Sequence, residues 1–200
     1  MDIPNVTYRV AEPGDAQEIA RLLGMTSGGL IDFLFRSPNS ESTLGESIAP
    51  LVRSETGLLS YRNIEVACWS DRAIGMAHGY ASVHHHITEE MKQILSKNHL
   101  QVLEAFDQNP MKNSWFLNAF GVRAEYRKQG IGTSLLWRTK QKAWQSGFTT
   151  LSAIAGSDNR TALRLYHQNG FREVAQIPIP QHPEFYPGRS CVLMSCQIVI

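Results

Sequence analysis

The chain has 200 residues, which is enough for one well-packed domain and barely enough for two. Hydrophobic residues make up 42% of it and charged residues 18%, a balance typical of globular proteins and not of disordered or fibrous ones. The formal net charge is only +1, so we expect neither nucleic acid nor a membrane surface as the main partner.

The N-terminal residues and the cysteines indicate a compartment. Met1–Arg9 is polar, and no apolar run approaches the roughly 20 residues of a membrane helix. We therefore expect neither a signal segment nor a membrane span. Cys68, Cys191 and Cys196 are odd in number and irregularly spaced, which favours free thiols over a disulfide framework or a zinc site. Free thiols are typical of the cytoplasm.

The chain opens with a strand and a helix. Asp15, with Glu18 three residues later, is typical of a capping box at a helix N-terminus. The apolar residues that follow recur at helical spacing. The predicted elements of this region are a strand at Thr7–Val10, a short apolar helix or turn at Leu30–Arg36, a loop at Ser37–Ser47 and a helical piece at Ile48–Glu55.

Two strands, Tyr61–Trp69 and Arg72–Val83, follow and are joined by a tight turn at Ser70-Asp71. Alternate residues of the second strand carry nothing larger than a methyl group. These residues are Ala73, Gly75, Ala77, Gly79 and Ala81. Either a helix or a ligand must pack on that face, and a helix is favoured.

The later part of the chain alternates strands and helices, which predicts an α/β fold with crossover connections. The opening hairpin adds antiparallel strands, so the sheet is predicted to be mixed. We interpret residues 1–200 as one domain, with a polar, partly helical insertion at about residues 84–113. The predicted elements are strands at Ser114–Val122, Thr149–Ala155, Phe171–Gln176 and Ser190–Ile200, and helices at Glu89–Phe106, Gly130–Gly147 and Arg160–Asn169, the last closed by Gly170. The stripe Ile131, Leu135, Leu136, Ala143 and Trp144 is predicted to be buried.

The segment Val122–Thr133 joins a strand to the start of a helix and has the features of an anion site. The first turn of a helix has unpaired N–H groups and a positive dipole end. Gly130 and Gly132 let a ligand approach the main chain, and Arg127 and Lys128 add positive charge. Taken alone, the glycines favour a tight loop with solvated basic residues, but the whole order of strand, basic residues, glycines and helix favours the anion site. Neither a Walker loop nor a Rossmann fingerprint is present.

The same segment resembles the acyl-CoA motif of the GNAT acyltransferases, V-x-x-x-[YF]-[RQ]-x-x-G-x-[GA]. Val122, Tyr126, Arg127, Gly130 and Gly132 occupy the motif positions. The opening R-V-A-E-P-G-D and the stretch from Asn159 to Phe171 are also similar to the family. The resemblance spans about Thr7–Gln176 and is weak over Ser37–Arg53 and His84–Asn113.

The resemblance implies a fold, an activity and a set of site residues. The fold would be a mixed sheet of six to seven strands flanked by helices. The activity would be direct transfer of an acetyl group from acetyl-CoA to a primary amine. The backbone of Phe120 and Val122 would pair with the pantetheine arm. The pyrophosphate would lie on main-chain N–H groups of Arg127, Lys128, Gln129, Gly130, Ile131, Gly132 and Thr133.

Two residues near the last helix complete the implied site. Asn159 would reach the pantetheine or cap the helix, and Tyr166 would be the general acid beside the cofactor sulfur. Without the family context, a plain N-cap and a core aromatic are the simpler interpretations.

The general base stays unassigned. Family members with a side-chain base often carry a carboxylate on the strand before the pyrophosphate loop, but Ser114–Phe120 contains none. Asn118 could hold a water but is no strong base. For Glu65 and His78 an ordinary structural role is favoured over a catalytic one. His84-His85-His86 is interpreted as a solvated loop and not as a metal site, because adjacent residues point apart.

The acceptor cannot be identified from the sequence beyond a small-molecule or peptide amine. We expect the insertion and the proline-rich loop Ile177–Gly188 to wall its site, with a homodimer contact as the other interpretation of that loop. Two other functions stay open. One is a non-catalytic acyl-CoA-binding sensor or partner module, and the other is a structural domain without a cofactor.

Overall fold

The structure is a computed structural model, and it describes residues 6–35, 43–107, 111–179 and 190–199. The strands are β1 (Thr7–Val10), β2 (Ile64–Trp69), β3 (Arg72–Ala81), β4 (Trp115–Val122), β5 (Thr150–Gly156), β6 (Arg172–Pro178) and β7 (Ser190–Gln197). The helices are α1 (Ala16–Thr26), α2 (Leu30–Phe35), α3 (Leu44–Arg53), α4 (Glu89–Ile94), α5 (Lys97–Asp107), α6 (Ile131–Gln145) and α7 (Arg160–Gln168).

The strands form one seven-stranded sheet in the order β1-β2-β3-β4-β5-β7-β6. β1, β2 and β3 pair antiparallel, β4 and β5 pair in parallel, and β7 is antiparallel to both β5 and β6. The mixed α/β sheet predicted from the sequence is confirmed.

The chain divides into two compact units, of which the first contains the described residues up to Gly79 together with Asn118–Gln141. Its core includes Ile19 of α1, Ile48 of α3, and Val66 and Met76 of the hairpin, all fully buried. The helix α3 begins four residues earlier than predicted. Thr43 caps it with a side chain that accepts from the N–H of Glu46 at 3.3 Å, and Glu46 returns the interaction.

The predicted capping box at Asp15 and Glu18 is wrong. The Asp15 carboxylate accepts hydrogen bonds from the Arg9 guanidinium at 2.6 and 3.0 Å and from the N–H of Glu12 at 2.8 Å. Glu18 instead lies in ion pairs, at 3.1 Å from Arg72 and 3.6 Å from Arg123. Asp15 does occupy the N-cap position of α1, but its carboxylate belongs to a capping box with Glu12 around the 3₁₀ turn Pro13–Asp15, one turn earlier in the chain.

The β2–β3 hairpin has the predicted tight turn, with Ser70 and Asp71 at φ angles of 47° and 63°. β2 starts at Ile64, because Tyr61–Asn63 forms a single 3₁₀ turn capped by the Ser60 hydroxyl. At Gly75 the small face of β3 lies against a helix, the favoured alternative. A Cβ on Gly75 would lie 3.2 Å from the Leu135 Cδ1 of α6 and 3.1 Å from the Gly121 carbonyl oxygen.

The stripe of α6 is buried at Ile131, Leu135, Leu136 and Ala143, but Trp144 is 50% exposed, so its predicted burial is wrong. Thr139 is buried instead, because its hydroxyl donates to the Leu135 carbonyl inside the helix at 2.9 Å.

The second unit contains Tyr80–Leu117 and the described residues from Lys142 onward. The helix predicted over Glu89–Phe106 is two helices, because Ser96 accepts from the N–H of His99 at 3.2 Å and starts a new one. Buried hydroxyls of Ser114 and Ser152 hydrogen-bond at 2.6 Å between β4 and β5.

Cys68, Cys191 and Cys196 are free and buried, as predicted. Residues 36–42, and residues 180–189 of the proline-rich loop, lie outside the described residues. Among the described residues, no helix has both the length and the apolar character of a membrane span.

Candidate functional site

The last five residues of β4 differ from its first three. Trp115–Leu117 is buried and pairs with β5, and the registered pairs end at Leu117 with Ala153. Asn118 is exposed, Ala119–Gly121 is half-buried, and Val122 is buried again. The strand thus becomes accessible at Asn118, which leaves polar and backbone groups of its second part within reach of a ligand.

The C-terminus of α1 packs directly on this part of β4. A Cβ on Gly121 would lie 2.3 Å from the Thr26 Cγ2, so only glycine permits the contact. Gly121 is not among the predicted site residues, although an isolated glycine within a strand indicates a close backbone approach.

The loop after β4 prepares the start of α6. Lys128 and Gly130 have φ angles of 60° and 77°, and no atom of the described residues lies within 4 Å of a Cβ built on Gly130. The Gly130 carbonyl accepts from the N–H of Ser134 at 3.0 Å, which makes Gly130 the residue that precedes the first turn. Within the described ranges, the N–H groups of Ile131–Thr133 donate no hydrogen bond. Three such donors at a positive dipole end fit a pyrophosphate.

The side chains of the loop divide between structure and an open surface. The Arg127 Nε donates to the Val122 carbonyl at 2.9 Å, so this arginine ties the loop back to the end of β4. Lys128 is exposed. The Gln129 Oε1 is buried and, in the part of the chain that the structure describes, accepts no hydrogen bond. A ligand with a hydrogen-bond donor would satisfy that oxygen, which also fits a coenzyme with hydroxyl and amide groups.

Asn159 caps α7, because its Oδ1 accepts from the N–H of Ala162 at 3.1 Å. This is one of the two predicted roles, and it leaves the amide NH₂ as the group that can reach a ligand.

Tyr166 is positioned by the end of α7. The N–H of Phe171 donates to the Tyr166 carbonyl at 3.0 Å and that of Gly170 to the His167 carbonyl at 3.1 Å, which is a Schellman motif. Gly170 has a φ of 86°, as its predicted role requires. The rings of Tyr166 and Phe171 lie 4.9 Å apart, the apolar contact that accompanies this motif. Burial raises the pKa of the Tyr166 phenol well above its ordinary value, so the hydroxyl stays protonated.

The alternative candidates for a base have structural partners. The Glu65 carboxylate is buried and pairs with the Arg138 guanidinium at 2.8 Å. His78 is fully buried, with the Leu58 carbonyl oxygen 2.8 Å from its Nε2 and the Asn118 Nδ2 3.1 Å from its Nδ1. The contact between His78 and Asn118, 40 residues apart, was not predicted.

The histidine run differs in part from the predicted solvated loop. His84 is exposed, whereas the His85 ring lies 4.2 Å from that of Phe116 and its Nδ1 is 3.0 Å from the Tyr80 hydroxyl. Burial lowers the pKa of the His85 imidazole. The His86 Nδ1 lies 3.2 Å from the Val83 carbonyl oxygen. The three rings therefore have separate surroundings.

The sheet order, together with a loop and helix that can hold an anion, is the arrangement of an acetyltransferase fold. The N-acetyltransferase of Staphylococcus aureus Mu50 has this fold, with a TM-score of 0.70 and 19% identity over 94% of this chain and 99% of that one. A polyamine N-acetyltransferase of Drosophila melanogaster, which forms N-acetylagmatine, has a TM-score of 0.68 and 14% identity over 96% and 100%.

The family follows from the sequence match. The model of the acetyltransferase (GNAT) family matches residues 58–171, more than half of the chain, and the chain belongs to this family. The uncharacterized N-acetyltransferase YhfO of Bacillus subtilis (strain 168) is 36% identical over 73 residues. That match spans 36% of this chain and about half, 49%, of the relative.

Proposed function

We propose that the chain is an N-acetyltransferase that transfers the acetyl group of acetyl-CoA directly to a primary amine. Family membership supports the reaction class. The observation that carries the proposal is the start of α6. There, three N–H donors follow Gly130, which has a left-handed conformation and open space beside its Cα among the described residues. This is the chemistry that a coenzyme pyrophosphate requires.

The proposed donor site uses the residues inferred from the family motif. The first-turn amides and the loop Arg127–Gly130 would hold the pyrophosphate, and the backbone of Phe120 and Val122 would pair with the pantetheine arm. The Asn159 NH₂ would donate to that arm, because its Oδ1 is engaged in the helix cap.

In the proposed reaction, the neutral amine attacks the thioester carbon, a C–N bond forms, the C–S bond breaks, and the nitrogen releases one proton to water, since no side-chain base is assigned. Positioning supplies much of the rate. Tyr166 would give its proton to the departing thiolate. The raised pKa of Tyr166 supports this role, since the phenol remains a donor at neutral pH.

The acceptor is proposed to be a small-molecule or peptide amine. The names of two solved relatives, a polyamine N-acetyltransferase and an agmatine N-acetyltransferase, support small amines as the first class to examine. We also propose a cytoplasmic location, because three free buried cysteines suit a reducing compartment.

A screen for CoA release tests the function. Purified protein is incubated with acetyl-CoA and a panel of agmatine, spermidine, tyramine, amino acid amides and peptides, and calorimetry measures acetyl-CoA binding in parallel. We expect binding together with release of CoA for at least one amine. Binding without turnover across the whole panel would favour a sensor module, and the absence of binding would overturn the donor assignment.

A further inference from the structure

Asn118 and His78 form a hydrogen-bonded pair where β4 becomes exposed. Asn118 is exposed and His78 is fully buried, and the Asn118 Nδ2 lies 3.1 Å from the His78 Nδ1. Both residues belong to the first compact unit. One member of the pair is therefore set in the core and the other faces outward.

The partners of His78 determine which ring nitrogen carries its proton. The Leu58 carbonyl oxygen, 2.8 Å from Nε2, can only accept, so Nε2 is the protonated nitrogen. In the neutral ring, Nδ1 is then an acceptor, and the Asn118 NH₂ donates to it. Reversing the amide would set the Asn118 Oδ1 against the Nδ1 lone pair and lose the hydrogen bond. His78 thus holds Asn118 in a single orientation.

In that orientation the Asn118 Oδ1 points away from His78. Within the described residues, this oxygen accepts no hydrogen bond. An exposed side-chain amide normally rotates freely, whereas this one presents an acceptor at a fixed position. A preorganised acceptor costs little to use when a ligand binds.

The proposed course of the coenzyme along β4 runs toward the Asn118 Oδ1. If the pyrophosphate lies at the start of α6 and the pantetheine arm runs back along Val122 and Phe120, the thioester end extends toward Asn118. Asn118 is two residues before Phe120, about 7 Å along a strand at roughly 3.3 Å per residue.

We propose that the Asn118 Oδ1 accepts a hydrogen bond from an N–H of the acceptor amine and so directs the nitrogen lone pair toward the thioester carbon. This assignment rests on the proposed function. Asn118 takes no proton, because an amide is too weak a base. It selects nucleophiles that carry an N–H and favours the positive charge that develops on nitrogen as the C–N bond forms. His78 is a positioning residue that acts through Asn118.

Kinetics of variants test the proposal, with the best acceptor among agmatine, spermidine, tyramine and glycine amide as the probe. For Asn118→Ala, we expect kcat/KM for the amine to fall at least about tenfold, as for loss of one well-placed hydrogen bond. The KM of acetyl-CoA should change less than about twofold. Asn118 is exposed, so this variant should fold.

Further variants distinguish the loss of the fixed Asn118 orientation from a general loosening of the structure around His78. In His78→Gln, the new amide can donate to the Leu58 carbonyl and accept from Asn118, so we expect most activity to return relative to His78→Phe. Asn63→Ala is the matched control, because the Asn63 Nδ2 also donates to the Leu58 carbonyl, at 3.0 Å, without touching Asn118. It should leave the amine kinetics nearly unchanged.

Outcomes for the proposal and for the function are distinct. An active wild type with unchanged amine kinetics in Asn118→Ala, or with His78→Gln as impaired as His78→Phe, would overturn the proposal alone. An inactive wild type would count against the proposed function. Nitrogen-15 NMR of the His78 ring needs no activity, and finding the proton on Nδ1 would refute the orientation of Asn118.

Discussion

Gly130 provides the sharpest test of the donor site. It has a φ of 77°, and its Cβ direction is open. In Gly130→Ala the added methyl group would meet no atom of the residues that the structure describes, so we expect its steric effect to fall on a ligand. Gly147, at the other end of α6, is a matched control with a φ of 85° and equally open space.

The expected magnitudes follow from these two features. A left-handed conformation costs an alanine about 1–2 kcal/mol, so both variants should lose that free energy of unfolding. For a chain of this size, the melting temperature should fall by about 2–8 °C. In Gly130→Ala the methyl group also keeps a phosphate from the N–H groups of Ile131–Thr133. Loss of one charge-assisted hydrogen bond, about 1.5–3 kcal/mol, weakens acetyl-CoA binding at least about tenfold.

Calorimetry with acetyl-CoA and thermal melts of both variants measure the two effects separately. We expect equal destabilisation and a selective loss of affinity in Gly130→Ala. Equal affinities for the two folded variants would refute the placement of the pyrophosphate at this turn.

Three further predictions concern the reaction and its substrates. Tyr166→Phe should lower kcat by roughly tenfold or more with acetyl-CoA affinity unchanged, while Tyr80→Phe, another buried tyrosine, should not. Because burial raises the Tyr166 pKa, kcat should not fall through loss of this acid between about pH 7.5 and 9.5. Arg127→Ala should weaken CoA more than pantetheine thioesters without phosphate, since it removes a positive charge and the tie to Val122. Replacing Phe185 and Tyr186, outside the described residues, with alanine should change the amine KM but not that of acetyl-CoA.

Each of these three predictions would be contradicted by a specific result. A kcat for Tyr166→Phe within about twofold of wild type, with chemistry rate-limiting, would make the tyrosine a packing residue. Equal losses for both thioesters would restrict Arg127 to holding the loop. A change in oligomeric state without a change in amine KM would assign the proline-rich segment to a homodimer contact.

The elements were largely predictable from the sequence, and the errors have local causes. Alternation and helical spacing predicted the strands and helices because each has one buried face. The sequence pattern does not reveal Thr43 as the capping residue of α3, so the predicted start of this helix is too late. Asp15 was assigned a local cap, whereas Arg9 holds its carboxylate. Trp144 has the spacing of the buried stripe of α6 but lies near the end of the helix, half exposed.

The candidate site could be predicted where its residues are consecutive in the sequence. The strand, the loop and Gly130 are adjacent, so their order along the chain is enough to propose an anion site there. The pair of His78 and Asn118 depends on how two strands 40 residues apart come together. Strand periodicity predicts on which face of the sheet each residue lies. It predicts neither the pairing register of strands that are distant in the sequence nor the tautomer of a histidine.

The buried cysteines have a practical consequence for measuring turnover. Cys68, Cys191 and Cys196 are at most 6% exposed, and burial raises the pKa of Cys191 to about 11. Thiol reagents react with the thiolate, so the folded protein should be nearly silent in a colorimetric assay that detects the free thiol of released CoA. The same reagent, used without substrate, would register three thiols on unfolding. One chemical probe could therefore report product formation in the native enzyme and loss of the native state in its variants.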